Sequence, residues 1–351
     1  MRKYAIFGTA TSPAHEEWVR SVAREFERAG FTEVDDVAEA DFVLNMFDPA
    51  APKAFRRASR GTYSAAFYEL PEVPEDPLKA SYPMLVRTLS NVVLLRVPGQ
   101  GVWFTTMEQG TYRVAEDPAA IYERLEPLAT SRLVIDNEWI PDLEPELWDG
   151  DEITADLAAA GRRLDELDLL PSPFPVEEYL SERDLRHVMR LYSVGGMSYG
   201  NLSARKDEKR FWMSASGVDK SKLSSVGRDI LLVKDFDEER GVIVLSVPPG
   251  IEPRRVSVDA IEHWMIYQAH PDVGAILHVH AWMEGIAATD VNYPCGTQEL
   301  AMAVAELVAA EPDPAHAVIG LRNHGITCTG ESLSEILDRV APKVLRQVPM
   351  T

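Results

Sequence analysis

Cysteine is scarce in this sequence: Cys295 and Cys328 are the two among 351 residues. So sparse a pair is no disulfide framework and fits a reducing cytoplasm. Positive charge is also short. Thirty-five Lys and Arg face 56 Asp and Glu, a formal net charge of −21. Such a surface repels phosphate backbones and anionic lipid heads, which argues against nucleic acid and membranes as partners. No run of about 20 apolar residues occurs. The apolar stretch from Tyr4 to Phe7 is too short for a signal peptide, so a soluble cytoplasmic protein is expected. The turn Phe7-Gly8-Thr9-Ala10-Thr11-Ser12-Pro13 lacks both G-x-G-x-x-G and G-K-[ST], and reads as a tight strand-to-helix connection. No repeat of 20–50 residues is present.

What is present is ordinary for a globular protein: 46% hydrophobic and 26% charged residues. The length points to two domains. In the first, Tyr4–Phe7 and Asp41–Phe47 read as buried strands. Between them Trp18, Val19, Val22 and Phe26 mark a helix over 14–29 that stops at Gly30. Short strands follow at 93–97, 101–106 and 111–114, then a helix at 118–129. This alternation predicts a small Rossmann-like α/β domain over 1–145, with no legible role. Residues 49–82 mix Pro, Arg and aromatics and predict no clear element. The acidic stretch 136–151, with Pro141 and Pro145, reads as the boundary, and 150–351 as a second domain. There, helices are predicted at 153–170 and 185–192, and a strand hairpin at 230–236 and 242–247.

Seven of the eight histidines lie after residue 186. His278 and His280 sit in Ala-Ile-Leu-His-Val-His, an apolar stretch that reads as a strand. Residues i and i+2 of a strand face the same side, so both imidazoles can share one ion. Asn323-His324-Gly325 falls between two β-type runs, 317–321 and 326–329, and a His at such a turn is poorly explained by packing. Three imidazoles with one place left open make a catalytic metal arrangement, whereas a structural zinc takes four ligands and the cysteines are not spaced for that. Upstream, Ser257 reads as the N-cap of a helix over 258–269, with Asp259 in its first turn. Asp259 is either decoration of the helix dipole or a carboxylate delivered beside the metal. His263 reads as structural, His187, His270 and His316 as surface or capping groups, and Trp264 and Trp282 as packing.

These motifs occur in order and at matching spacing in a known family. Gly200-Asn201-Leu202-Ser203, Ser214-Ala215-Ser216-Gly217, Ser257-Val258-Asp259 with His263, and His278-Val279-His280 with Asn323-His324-Gly325 together resemble the class II aldolase/adducin family, over about residues 150 to 345, and Gly296–Ala301 resembles the helix start that follows its H-x-H strand. The resemblance implies an α/β/α sandwich around a mainly antiparallel sheet. It implies a divalent metal on His278, His280 and His324, with zinc foremost and manganese, cobalt or iron as alternatives. It makes Asp259 the catalytic carboxylate, a position that is Glu in the family's aldolases and Asp in its epimerases. Asn201, Ser216, Gly217 and Ser257 match the pocket for a small anionic substrate. A homo-oligomer, tetrameric by resemblance, is expected.

The sequence also departs from the family pattern. Val258 stands where a second pocket hydroxyl is expected, which weakens the case for a sugar phosphate, since an unmet charged hydrogen bond costs about 1.5–3 kcal/mol. Fourteen residues separate His280 from Cys295, where a longer loop with an acid/base group is expected, and 27 follow His324, where a further helix with a Tyr is expected. The leading reading is a metal-dependent carbon–carbon lyase, by retro-aldol cleavage or decarboxylation through a metal-stabilised enediolate. Epimerase or dehydratase chemistry on the same scaffold, and a non-catalytic adducin-like module, are the alternatives.

Overall fold

The computed structural model describes residues 2–56, 62–107, 110–172, 174–191 and 198–351. The chain divides into two compact units, residues 1–130 with 174–188 and 350–351, and residues 131–173 with 189–349.

The first unit is a doubly wound sheet of seven strands. They are β1 (Lys3–Gly8), β2 (Thr32–Glu33), β3 (Phe42–Met46), β4 (Tyr63–Glu69), β5 (Val92–Val97), β6 (Gly101–Thr106) and β7 (Gly110–Val114). Their order is β2-β1-β3-β4-β5-β6-β7, parallel up to β5 and antiparallel beyond. That order is of the flavodoxin type, not the Rossmann order. Its helices are α1 (Pro13–Arg28), α2 (Pro77–Thr88) and α3 (Pro118–Thr130). The β1–α1 turn is tied down by its own side chains: Ser12 accepts from the His15 amide at 3.0 Å, and the buried His15 ring meets the Thr11 amide at 3.2 Å and the Phe67 carbonyl at 3.1 Å. Strand β4 lies where the sequence predicted no element. Its Tyr-Ser-Ala-Ala-Phe-Tyr run is buried throughout, so the alternation that marks a half-exposed strand is missing.

After α4 (Glu152–Glu166), the short α5 (Val176–Tyr179) and the first turns of α6 (Glu182–Leu191) count with the first unit. Tyr192, the predicted end of that last helix, and the glycines at 195 and 196 lie outside the described residues.

The second unit carries β8 (Asp136–Ile140), β9 (Asn201–Arg205), β10 (Phe211–Ser214), β11 (Ile230–Asp237), β12 (Val242–Ser246), β13 (Ala275–Val279), β14 (Val318–Leu321) and β15 (Gly325–Gly330). The sheet order is β14-β15-β13-β9-β10-β11-β12-β8, antiparallel apart from the β12–β8 pair. Helix α4 packs with α9 (Leu333–Val340), and α7 (Ala260–Ala269) with α8 (Gln298–Ala310). Ser203 and Thr327 bond α7 side chains, while Cys328, the next residue, feels Arg339 of α9, so the two helix pairs cover opposite faces. This is the mixed α/β architecture expected. The division falls near residue 130 rather than 145, because β8 adds to the second sheet by pairing in register with β12.

Candidate metal centre

The backbone of β13 is the platform of the site. The strand Ala-Ile-Leu-His-Val is buried at every position between β9 and β15. His278 lies in β13, His280 just past its end, and His324 in the turn from β14 to β15, where Asn323 takes a left-handed φ of 56°. Two glycines let the neighbouring chain close around this strand end. A Cβ on Gly325 would stand 2.3 Å from the Val279 carbonyl oxygen, and one on Gly200 would stand 2.4 Å from that of His278, at a φ of +72°. Gly200→Ala therefore costs about 2–3 kcal/mol of stability and pushes His278 from its place. A chemical denaturation midpoint equal to that of the natural protein would disprove the close approach.

The structure brings the three histidines together. One nitrogen from each lies within 4.8 Å of the other two. Ring centroids are 5.3 Å apart for His278 and His280, 4.7 Å for His278 and His324, and 4.8 Å for His280 and His324. Their exposures are 1%, 9% and 3%. His278 Nδ1 stands 3.1 Å from the Ile326 carbonyl and must donate to it, which leaves Nε2 with its lone pair. That Nε2 and His280 Nδ1 are buried without a hydrogen-bond partner. His280 Nε2 and His324 Nε2 stand 3.2 Å apart. Burial favours the neutral ring in all three. For His280 and His324 the shift goes well below the usual imidazole range, with His278 nearby adding to it, while for His278 the Asp259 carboxylate pulls the other way. Neutral imidazoles, one oriented by a carbonyl and left with a bare nitrogen, fit a divalent cation.

Asp259 is buried beside them. Its Oδ2 accepts from Asn201 Nδ2 at 2.7 Å, the Gly296 amide bonds the same carboxylate, and Oδ1 has no partner. Burial raises its proton affinity, offset by His278, Asn201, Gly296 and Lys220. The predicted N-cap differs. Helix α7 starts at Ala260, so Asp259 and not Ser257 occupies the cap position, and its side chain makes no capping bond because it is turned to Asn201.

The expected pocket residues fall in two adjoining segments. Ala215 bridges Val256, the Ser216 amide donates to the Arg255 carbonyl at 2.9 Å, and the Ser257 amide donates to Ser214 at 3.1 Å. Ser216 and Gly217, in the turn after β10, thus lie beside Ser257 in the segment before α7, while one N–H of Asn201 is engaged by Asp259. His263 is buried on Ser203, 2.7 Å from its hydroxyl. His270 caps the end of α7, and His316 meets Asp313 at 2.9 Å.

Four further groups escaped the sequence reading. Cys295 Sγ lies 3.3 Å from His324 Nε2 and 3.7 Å from Nδ1. The Tyr199 ring stands 5.2 Å from that of His280. Lys220 is buried, donates to the Ser198 carbonyl at 2.6 Å, and has its pKa lowered to about 8 by burial, with Asp259 and Asp219 pulling it back up. Glu262 is buried, accepts from the Thr327 hydroxyl at 2.6 Å, and is raised to about 8 by burial and by Asp259. Register explains the grouping: His278 is the cross-strand partner of both Asn201 and Thr327, the residues that hold Asp259 and Glu262. The i, i+3 spacing of the two carboxylates on one helix end was the available signal.

Three histidines thus converge beside a buried carboxylate at the head of a helix, on a mainly antiparallel sheet. Residues 185–290 match the family described as "Class II Aldolase and Adducin N-terminal domain". Methylthioribulose-1-phosphate dehydratase of Xanthomonas campestris pv. campestris is 35% identical over 88 residues, 25% of this chain and 35% of that protein. The protein of the same name from Leptospira biflexa is 30% identical over 113 residues, 32% of this chain and 50% of that one. The chain thus spans between about a third and a half of the length of these curated relatives. A solved L-fuculose 1-phosphate aldolase aligns with a TM-score of 0.36 and 18% identity, covering 55% of this chain and 84% of that one. Among the described residues no helix is long and apolar enough to cross a membrane.

Proposed function

We propose that the second unit is a metal-dependent lyase that cleaves a carbon–carbon bond in a small, anionic, oxygenated substrate, by retro-aldol reaction or decarboxylation. The convergence of three neutral imidazoles beside a buried carboxylate carries this reading. His278, His280 and His324 would hold the cation, zinc foremost, with manganese, cobalt or iron as alternatives. When bound, the ion supplies a Lewis acid that polarises substrate oxygens and stabilises enediolate charge. Asp259 holds or accepts the proton at its unpartnered Oδ1, with Oδ2 fixed by Asn201. Its raised proton affinity brings it nearer to the working range of an acid/base group. The Ser216 and Ser257 hydroxyls and the Gly217 turn would receive the anionic end, and the buried Lys220 ammonium adds positive potential. A homo-oligomer, tetrameric by family resemblance, and a cytoplasmic location belong to the same proposal.

Elimination of water is the second reading, favoured by the names of the curated relatives. It needs the same carboxylate to take a proton next to the carbonyl. Turnover of a panel of sugar phosphates and hydroxy acids separates the two. Fragmentation releases an aldehyde or carbon dioxide, while dehydration keeps the carbon chain whole. Either activity is expected to vanish with a chelator and to return with zinc. Turnover that ignores the chelator ends both readings. Asp259→Asn is expected to lower kcat by about 10²–10⁴-fold with the metal content unchanged, and a kcat equal to that of the natural protein would remove Asp259 from the mechanism.

A further inference from the structure

We propose that Glu262 is a positioning residue for Asp259: it stays a neutral carboxylic acid whose O–H donates to the Asp259 carboxylate, so the two hold one proton between them and Asp259 is the ionised member. The proposal rests on the reading of Asp259 as the acid/base group and goes beyond it by assigning the residue that keeps it charged.

The sheet sets the two carboxyls on either side of one histidine. Asn201, His278 and Thr327 are cross-strand neighbours on β9, β13 and β15. Asp259 bonds Asn201 at one end of this row, and Glu262 bonds Thr327 at the other. Both belong to the start of α7, three residues apart, a spacing that makes side chains neighbours on a helix. Their exposures are 6% and 2%. Ionising both is costly, because each charge loses its water and repels the other.

Hydrogen bonds decide which of the two carries the proton. Asp259 Oδ2 accepts from Asn201 Nδ2, the Gly296 amide bonds the same carboxylate, and His278 and Lys220 favour its charge. Among the described residues Glu262 has one hydrogen bond, from the Thr327 hydroxyl to Oε1, and no ion pair. Since Oε1 accepts, the proton sits on Oε2, and that atom is buried without a partner. Asp259 Oδ1 is buried without one too. The first atom lacks an acceptor and the second a donor, so each supplies what the other needs. A carboxylate oxygen offers two lone pairs, and Oδ1 keeps one for the substrate's proton. The other titratable groups nearest the pair are His263 on α7, His278 on β13 and Lys220 between β10 and β11. On α8, Glu299 bonds the Arg132 amide and Glu306 is exposed.

Infrared difference spectra of the zinc-loaded full-length protein give the test. Natural protein minus Glu262→Gln is expected to show, at pH 7, the C=O stretching band of one protonated carboxyl. In Asp259→Asn that band is expected to shift, because its acceptor changes from a charged carboxylate to a neutral amide. On a substrate found with the panel above, Glu262→Leu is expected to move the acid limb of kcat/KM upward by roughly one pH unit, the size of one hydrogen bond to a charged group. Glu262→Gln, which keeps a donor, is expected to restore the natural limb. Absence of the band, a band that Asp259→Asn leaves unmoved, or a leucine variant with the natural acid limb overturns the proposal. The infrared result decides even where the leucine variant does not fold. Turnover that ignores a chelator overturns the lyase reading instead and leaves the band in place.

Discussion

Replacing His278 by alanine is expected to lower kcat/KM by at least about 10³-fold and to leave the purified protein without stoichiometric metal. A loss of that size corresponds to about 4 kcal/mol of transition-state stabilisation, within what a Lewis acid supplies to a developing oxyanion. Two imidazoles remain in the variant, and they cannot hold the ion in the geometry of three. Because the His278 ring also orients through the Ile326 carbonyl, no rotation of His280 replaces it. Metal content by mass spectrometry and kcat/KM, measured on one preparation with an unchanged circular dichroism spectrum, decide the matter. A variant with one ion per chain and full turnover contradicts the assignment.

Acid is expected to unfold the metal-free second unit early. His263, His278, His280 and His324 are buried, and burial lowers the pKa of each, that of His263 to about 3. An unfolded imidazole titrates near 6.5, so the stability these groups allow is fully present above that pH. As pH falls below 6.5 the unfolded chain binds protons that the folded one refuses, and stability drops. Glu262 acts in the opposite direction: with a folded pKa of about 8 it already holds its proton in this window while its unfolded form does not, and Asp259 does the same in part. The four imidazoles that refuse a proton outnumber the carboxyls that hold one, so the net effect of acid is destabilising. Among the described residues the first unit has one such group, the buried His15, and its stability is expected to depend less on pH. Urea unfolding of metal-free protein at pH 7 and pH 5.5, read by probes in each unit, tests this. A second-unit midpoint that does not move contradicts the burial argument.

The triad was legible because its signals are local. His-Val-His in an apolar strand fixes two rings on one side, and His324 followed by Gly325 marks a turn that packing alone does not require. Lys220 was not legible, since Val-Asp-Lys-Ser-Lys reads as a surface turn, and Lys220 is buried because α4 crosses it at Gly161, where a Cβ would stand 2.0 Å from the Lys220 carbonyl oxygen. Glu262 was hidden for a related reason. Helix α7 is buried on nearly all sides between the sheet and α8, so a charged residue in it carries no periodic mark. The place of Cys295 beside His324 was not legible either, since 29 residues separate them and only folding closes that gap. In the first unit, strand β4 failed to register because burial on both faces erases alternation.

The discontinuous make-up of the two units bears on how the chain can be taken apart. A fragment starting at 150 would lack β8 and leave the edge of β12 bare, an invitation to pair with other molecules. A fragment ending at 145 would lack the 174–188 excursion, and with it the Asp184 carboxylate that accepts from Arg87 at 2.8 Å. No single scission separates the two units intact.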